Sequence, residues 1–216
     1  MPINRREFNK QETLRHIRSI FMSLYAQGGI NSVSVNILCK ECGIARSTFY
    51  LYFDDKFAIL ESIEEDLLND MRTICHDLRD CDMSDVTSGQ PLKKASAAIR
   101  YLKENADTYR ALLGPYGDHR FSAKWRKDII DSFADRFLSE KGDPRSADIA
   151  CTIFSSALIG LYTKLLFDMP NMSEREFAII MGNLLKYSLY DFQAFAEQSI
   201  TSAKNLQTVG ITTATL

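Results

Sequence analysis

Histidine is scarce. The chain has only His16, His76 and His119, and none stands in a spacing that holds a metal or activates a nucleophile. No glycine-rich loop able to cradle phosphates occurs, which argues against a nucleotide-dependent enzyme. No alternation of apolar and polar residues is sustained enough for a strand, so an all-α fold is expected. The five cysteines, Cys39, Cys42, Cys75, Cys81 and Cys151, are an odd number. The opening MPINRREFNK is polar and lacks the apolar stretch of a secretory signal, so reduced thiols in a cytoplasm are expected. A net charge of −2 gives no bulk attraction to a polyanion.

That average hides an asymmetry. Residues 1–60 carry eight Lys/Arg against five Asp/Glu, whereas residues 61–216 carry eighteen against twenty-three. A basic head on an acidic body suits a protein that meets a polyanion with one end. The single long apolar run, IACTIFSSALIGLYTKLLF over 149–167, is interrupted by Thr152, Ser155, Ser156, Thr163 and Lys164. With capping signals on both sides, it reads as a helix buried on most of its faces rather than a membrane span.

Helical periodicity accounts for nearly everything else. Leu14, Ile17, Phe21, Leu24 and Tyr25 form one amphipathic stripe, ended by Gly28-Gly29. Ser34 caps a short helix over 35–42, Gly43 breaks it, and a second short helix covers 46–52. Asp54 and Asp55 cap a long helix with Leu60, Ile63, Leu67, Met71, Ile74 and Leu78 on one face. A loop is expected over 82–90, and Pro91 opens the next helix. A break at 114–118 precedes a helix carrying Phe121, Trp125, Ile129, Phe133 and Phe137 and ended by Lys141-Gly142. Asp143-Pro144 opens the apolar helix, about 144–168, and Ser173 with Glu176 forms a capping box for a last helix over about 173–199. The remainder, 200–216, has no helical period and reads as a loosely held tail.

The stretch CGIARSTFYLYFDDK, 42–56, sets four aromatics in five positions among hydroxyls and a cation. At 100° per residue, Phe49 and Phe53 share one side of a helix, and Arg46, Ser47, Thr48, Tyr50, Leu51 and Tyr52 surround the rest. A short helix, a glycine turn and a second helix is the order of a helix-turn-helix, whose second helix enters the major groove. The segment SVNILCKECGIARSTFYLYFDDKFAILESI, 34–63, resembles the DNA-binding head of the tetracycline-repressor (TetR/AcrR) family of bacterial regulators. The likeness rests on a hydroxyl before helix two, Gly43-Ile44 in the turn, Thr48-Phe49-Tyr50 in helix three and Phe53-x-x-Lys56 opening helix four. It covers roughly residues 8–65, with the motif over about 34–53.

What the resemblance implies can be placed residue by residue. Ser34 and Asn36 would lie near phosphate, and Ala45, Arg46, Ser47 and Thr48 would form the base-reading start of the recognition helix, Arg46 facing a guanine edge. Tyr50, Tyr52 and Lys56 would hold the DNA backbone. Many members have glycine where this chain has Ser47 and lysine where it has Arg46, so no operator sequence is implied. The long helix four would join the head to a helical body over 66–199 that binds an effector and dimerises. The implied dimer interface takes in Ala157, Leu158, Leu161, Leu165, Phe177, Leu184 and Phe195. An effector pocket, for an aromatic or hydrophobic small molecule, would be lined by Tyr109, Leu112, Tyr116, Phe121, Trp125, Phe133 and Phe154, which could equally be packed core. The expected function is a ligand-responsive repressor binding a pseudo-palindromic operator as a homodimer, with no cofactor and no membrane partner.

Two other classes compete. A helical scaffold or interaction protein explains the body but leaves 42–56 unexplained. A metal site at Cys39-x-x-Cys42, completed by Cys75, His76 or Cys81, has poor spacing, and Cys39 and Cys42 fall on the inward side of their helix. Glu61, Glu64, Glu65 and Asp66 read as a solvated helix face rather than as acid/base pairs.

Overall fold

The computed structural model describes residues 5–79 and 95–191, and every regular element among them is helical. The loop expected over 82–90, the Pro91 start, Cys81 and the stretch beyond 191, with Phe195 and the tail, lie outside the described residues.

Helix α1 (Arg5–Gly28) turns Ile17, Phe21 and Tyr25 into the core, and a 3-10 turn (Gly29–Ser32) closes it. Helix α2 (Val35–Cys42) starts at Ser34, whose hydroxyl accepts from the Ile37 amide at 3.2 Å, and ends at Gly43 with φ 64°. That left-handed backbone is easy for glycine and strained for other residues. Helix α3 (Arg46–Tyr50) is shorter than the periodicity suggested, because Leu51 and Tyr52 already turn back toward the chain.

Helix α4 (Lys56–Arg79) is 24 residues long, about 36 Å. Asp55 caps it through the Ala58 amide at 2.8 Å. Ile59, Leu60 and Ile63 are buried near its start, Leu67, Leu68, Met71 and Cys75 further along. One helix therefore contributes to the core along most of its length.

The body continues with α5 (Ala95–Glu104) and α6 (Ala106–Leu113). The split falls at Asn105, whose side-chain amide donates to the Tyr101 carbonyl at 2.9 Å, a local bond of the kind that competes with helix continuation. Helix α7 (His119–Lys141) is capped by Asp118 and stopped by Gly142 at φ 73°. Helix α8 (Pro144–Phe167) has Asp143 as N-cap and proline in its first turn. Helix α9 (Glu174–Lys186) carries the anticipated capping box, with Glu176 N to Ser173 Oγ at 3.1 Å and Ser173 N to Glu176 Oε2 at 2.8 Å. Ser173→Ala is expected to lower the unfolding free energy by about 1 kcal/mol, readable as a shifted urea midpoint at unchanged m-value. After α9 the chain passes into a π-type turn over Tyr187–Asp191. The Lys141 ammonium donates to the Leu189 carbonyl there.

Helix α8 departs from expectation in one respect. It is long and apolar enough to cross a bilayer, and only half of its apolar window is buried. Ala150, Cys151, Phe154, Leu158 and Leu165 face inward. Ile149, Ala157, Gly160 and Phe167 lie on the open side, with Ile153 and Leu161 partly covered.

Candidate nucleic-acid interface

Phe49 and Phe53 anchor α3, both buried, with ring centroids 6.2 Å apart. That anchoring decides what the rest of the helix can show. Ala45, Arg46, Ser47 and Tyr50 are exposed, and Thr48 and Tyr52 are half-covered. The Arg46 guanidinium lies over the Tyr50 ring, 5.9 Å from its centroid, and donates to the Tyr50 hydroxyl at 3.2 Å. The pair leaves a planar fork of N–H donors on the surface, a shape that matches the O6/N7 edge of guanine. The hydrogen bond to Tyr50 and the proximity of its ring hold the guanidinium firmly protonated.

Of the two residues expected at the start of α2, Asn36 is exposed and Ser34 is half-covered, its oxygen engaged as the helix cap. Lys56 is arranged differently from a free surface cation. Its ammonium turns inward and donates to the carbonyls of Ile30 and Val33 at 2.8 and 2.9 Å. It thereby ties the start of α4 to the approach of α2. Two of its three protons are spent, and one remains for an outside acceptor. Leu51, on α3's outer side, is 80% exposed. The sequence places it opposite Phe49, and that was the available signal. An apolar side chain offered to solvent beside Arg46 suits contact with a thymine methyl.

The body residues divide otherwise than expected. Tyr109, Leu112, Phe121, Trp125, Phe133 and Phe154 are all buried and closely packed. Tyr109, Phe121 and Trp125 belong to one ring cluster, and Phe133 and Phe154 to a second with Phe137. They fill space rather than line an open cavity. Tyr116 does not join them. It is 60% exposed on the loop after α6, because Gly117 turns that loop against the Leu112 carbonyl, where no Cβ fits. Of the interface set, Leu158, Leu165 and Phe177 are already buried inside the protomer and have no area left for a partner. Of its described members, only Ala157, Leu161 and Leu184 retain exposed surface. Helical phase separates the two groups, and the inward phase wins because it completes this chain's own core.

Cys39 and Cys42 are buried and unpaired in α2, as are Cys75 in α4 and Cys151 in α8. Burial pushes the Cys75 and Cys151 thiols up to about 12. Among the described residues no three His, Cys, Asp or Glu side chains gather as metal ligands.

Residues 22–63 match the profile of bacterial regulatory proteins of the tetR family. Over 42 residues the chain is 48% identical to the uncharacterized HTH-type transcriptional regulator YuxN of Bacillus subtilis, covering 19% of this chain and 14% of YuxN. Over 55 residues it is 34% identical to the HTH-type transcriptional regulator AcrR of Shigella flexneri, covering 26% of each. The matched region thus spans 14% of the one relative's length and 26% of the other's. The whole architecture is similar to two solved structures. One is the dihydroxyacetone kinase operon activator DhaS, with a TM-score of 0.53 and 21% identity over 82% of this chain and 96% of that one. The other is the fatty acid degradation regulator FadR from Bacillus halodurans, with a TM-score of 0.52 and 16% identity over 82% and 95%. These two likenesses concern the fold. The matched residues and the helix-turn-helix geometry agree: residues 22–63 form a head of the tetR type of bacterial regulatory proteins.

Proposed function

We propose that the protein is a transcriptional regulator that inserts α3 into the major groove of a pseudo-palindromic operator, as a homodimer, and releases it in response to a small molecule. The observation that carries this reading is the outer face of α3, where Arg46, Ser47, Tyr50 and Leu51 are displayed over a buried Phe49–Phe53 anchor. Phosphate contacts would come from Ser34, Asn36, Tyr52 and the remaining proton of Lys56, and base reading from Ala45 to Thr48. The head would comprise residues 8–65 and the effector and dimerisation unit 66–199. Two heads are needed to read two half-sites one helical turn apart. The open apolar strip of α8, Ile149, Ile153, Ala157, Gly160 and Leu161, with Leu184 on α9, supports a second copy as its cover. Repression is the simplest outcome of occupying a promoter, while DhaS is described as an activator; the same head geometry serves either.

The test is fluorescence anisotropy of the full chain on DNA from upstream of its own gene, with salt varied. Arg46→Ala is expected to weaken binding roughly tenfold to a hundredfold and to relax preference at one base position. Equal binding of wild type and Arg46→Ala to operator and scrambled DNA would overturn the reading. Light scattering on the same samples should return a dimer mass, and a monomer at micromolar concentration would remove the two-headed arrangement.

A further inference from the structure

Among the buried polar atoms without partners, three belong to neighbouring rings of the body core: the hydroxyls of Tyr109 and Tyr162 and the indole N–H of Trp125. All three residues are buried. Their rings form one stack. Trp125 lies flat on Tyr162, with centroids 5.0 Å apart and planes at 6°, and Tyr109 sits 5.1 Å from Trp125 with its plane tilted by 34°. Phe177 continues the stack beyond Tyr162 at 5.4 Å. A phenylalanine at 109 or 162 would pack the same ring without burying a hydroxyl. Unsatisfied buried donors are rare and costly, and three in one stack set this core apart from an ordinary aromatic cluster.

The donors have a common surrounding. Burial, followed by Tyr101, Cys75 and Asp70, pushes the Tyr109 hydroxyl far above the ordinary phenol value, and burial, followed by Cys75 and Tyr109, does the same to Tyr162. A negative charge is thus opposed there, and the stacked rings carry no cation of their own. Cys75 comes from α4 and Trp125 from α7. Between these two helices, Leu68, Met71, Cys75, Trp125, Ile129 and Ser132 line a shallow cleft of only about 10 Å³, room for no more than one water. The seam is bridged on its outer side by Arg72, which donates to Asp128 at 3.0 Å and pairs with Glu65 at 3.3 Å.

We infer that this stack is a closed ligand site whose occupant is a neutral, planar molecule bearing hydrogen-bond acceptors on its edge, admitted by parting α4 from α7 beneath the Arg72–Asp128 bridge. The inference rests on the proposal that the body binds an effector, and it names that effector's class. Donors that point at nothing require acceptors. A ring laid against the near-parallel faces of Trp125 and Tyr162 must be flat, and the absence of a cation in the stack selects against carboxylates. A ligand of this size needs a few hundred Å³, so it binds by stabilising a parted form that is a minor state of the free protein.

Three fused-ring probes test this on the full chain by calorimetric titration: chromone, with a ketone and a ring oxygen; naphthalene, of the same outline without acceptors; and 1-naphthoate, an anion. Chromone is expected to bind at least tenfold more tightly than either of the others, one satisfied donor being worth about that factor. Its binding should change the emission of Trp125, the chain's one tryptophan. Tyr109→Phe and Tyr162→Phe should each raise the melting temperature of the unliganded protein while weakening chromone about tenfold and leaving naphthalene unchanged. Equal affinity for chromone and naphthalene, preference for 1-naphthoate, binding of none of the three, or a lowered melting temperature in both phenylalanine variants would overturn the inference. Operator binding by the unliganded chain is scored separately, so loss of the ligand site leaves the DNA-binding proposal to its own test.

Discussion

Lys124→Met is expected to cost about 3 kcal/mol of stability at neutral pH, with most of that cost vanishing in acid. The reason is Glu64, on α4. It is only 2% exposed, its Oε2 accepts from Lys124 Nζ at 2.7 Å, and its Oε1 is buried without a partner. Burial raises its pKa more than the Lys124 hydrogen bond and charge lower it; Asp118 adds to the rise and Arg120 opposes it. The two partners register the pair differently, since Lys124 is raised chiefly by its hydrogen bond to Glu64. The difference is one of solvation. The ammonium is 45% exposed and gains a partner almost free, whereas the carboxylate bears nearly all the desolvation.

Because Glu64's folded pKa lies above its unfolded value, the native state holds more protons across that interval. The group's stabilising contribution is complete below about pH 4.5 and is lost as pH rises through the folded value. Removing Lys124 widens the interval upward, because the remaining charge has lost its nearest cation. The lysine's partial exposure admits water and keeps the expected cost at the low end for a broken buried pair. Urea unfolding from pH 4.5 to neutrality would measure it. Glu64→Gln should flatten the profile, and the double variant should cost less than Lys124→Met alone. A pH-independent loss below about 1 kcal/mol in Lys124→Met would mean that solvent reaches Glu64 freely.

Glu64 also marks the limit of what periodicity reveals. Stop and start signals were legible because they are local: Ser34, Asp143, Ser173 with Glu176, Gly43 and Gly142 act through bonds within four residues, and each appears in its expected role. The exposed face of α3 was legible because two aromatics four apart fix a helix's rotation. Glu64 sits among Glu61, Glu65 and Asp66, and nothing local distinguishes it; only the arrival of α7 from sixty residues away covers it. Lys56 likewise resembles a surface lysine beside two aspartates until the fold presents the carbonyls of Ile30 and Val33. The apolar residues of α8 and α9 announced more surface than one core needs, but the division between inward and outward depends on helix rotations that neighbours set. Tyr116 was grouped with the core aromatics for its chemistry, and a backbone turn at Gly117 carries it away.

Gly29→Ala is the second substitution expected to have a large effect, and Gly43→Ala is its control. Both glycines have nearly the same left-handed backbone, φ 67° and 64°, so the conformational cost of adding a Cβ is shared, about 1 kcal/mol. Their surroundings differ. A Cβ on Gly43 meets nothing within 4 Å, whereas one on Gly29 would stand 2.4 Å from the Tyr116 carbonyl oxygen. That oxygen is backbone, in the loop joining α6 to α7, and cannot rotate away as a side chain would. The clash adds roughly 1–3 kcal/mol, which puts Gly29→Ala about 5–15 °C below wild type in melting temperature and Gly43→Ala about 2–4 °C below. The contact is also where the end of α1 rests on the body, so relief of the clash must displace the head. If operator affinity then falls for Gly29→Ala more than for Gly43→Ala, measured well below both melting temperatures, the Tyr116 loop sets how the head is held. Equal losses of stability and of affinity in the two variants would show that the loop yields freely and that α4 alone connects the two units.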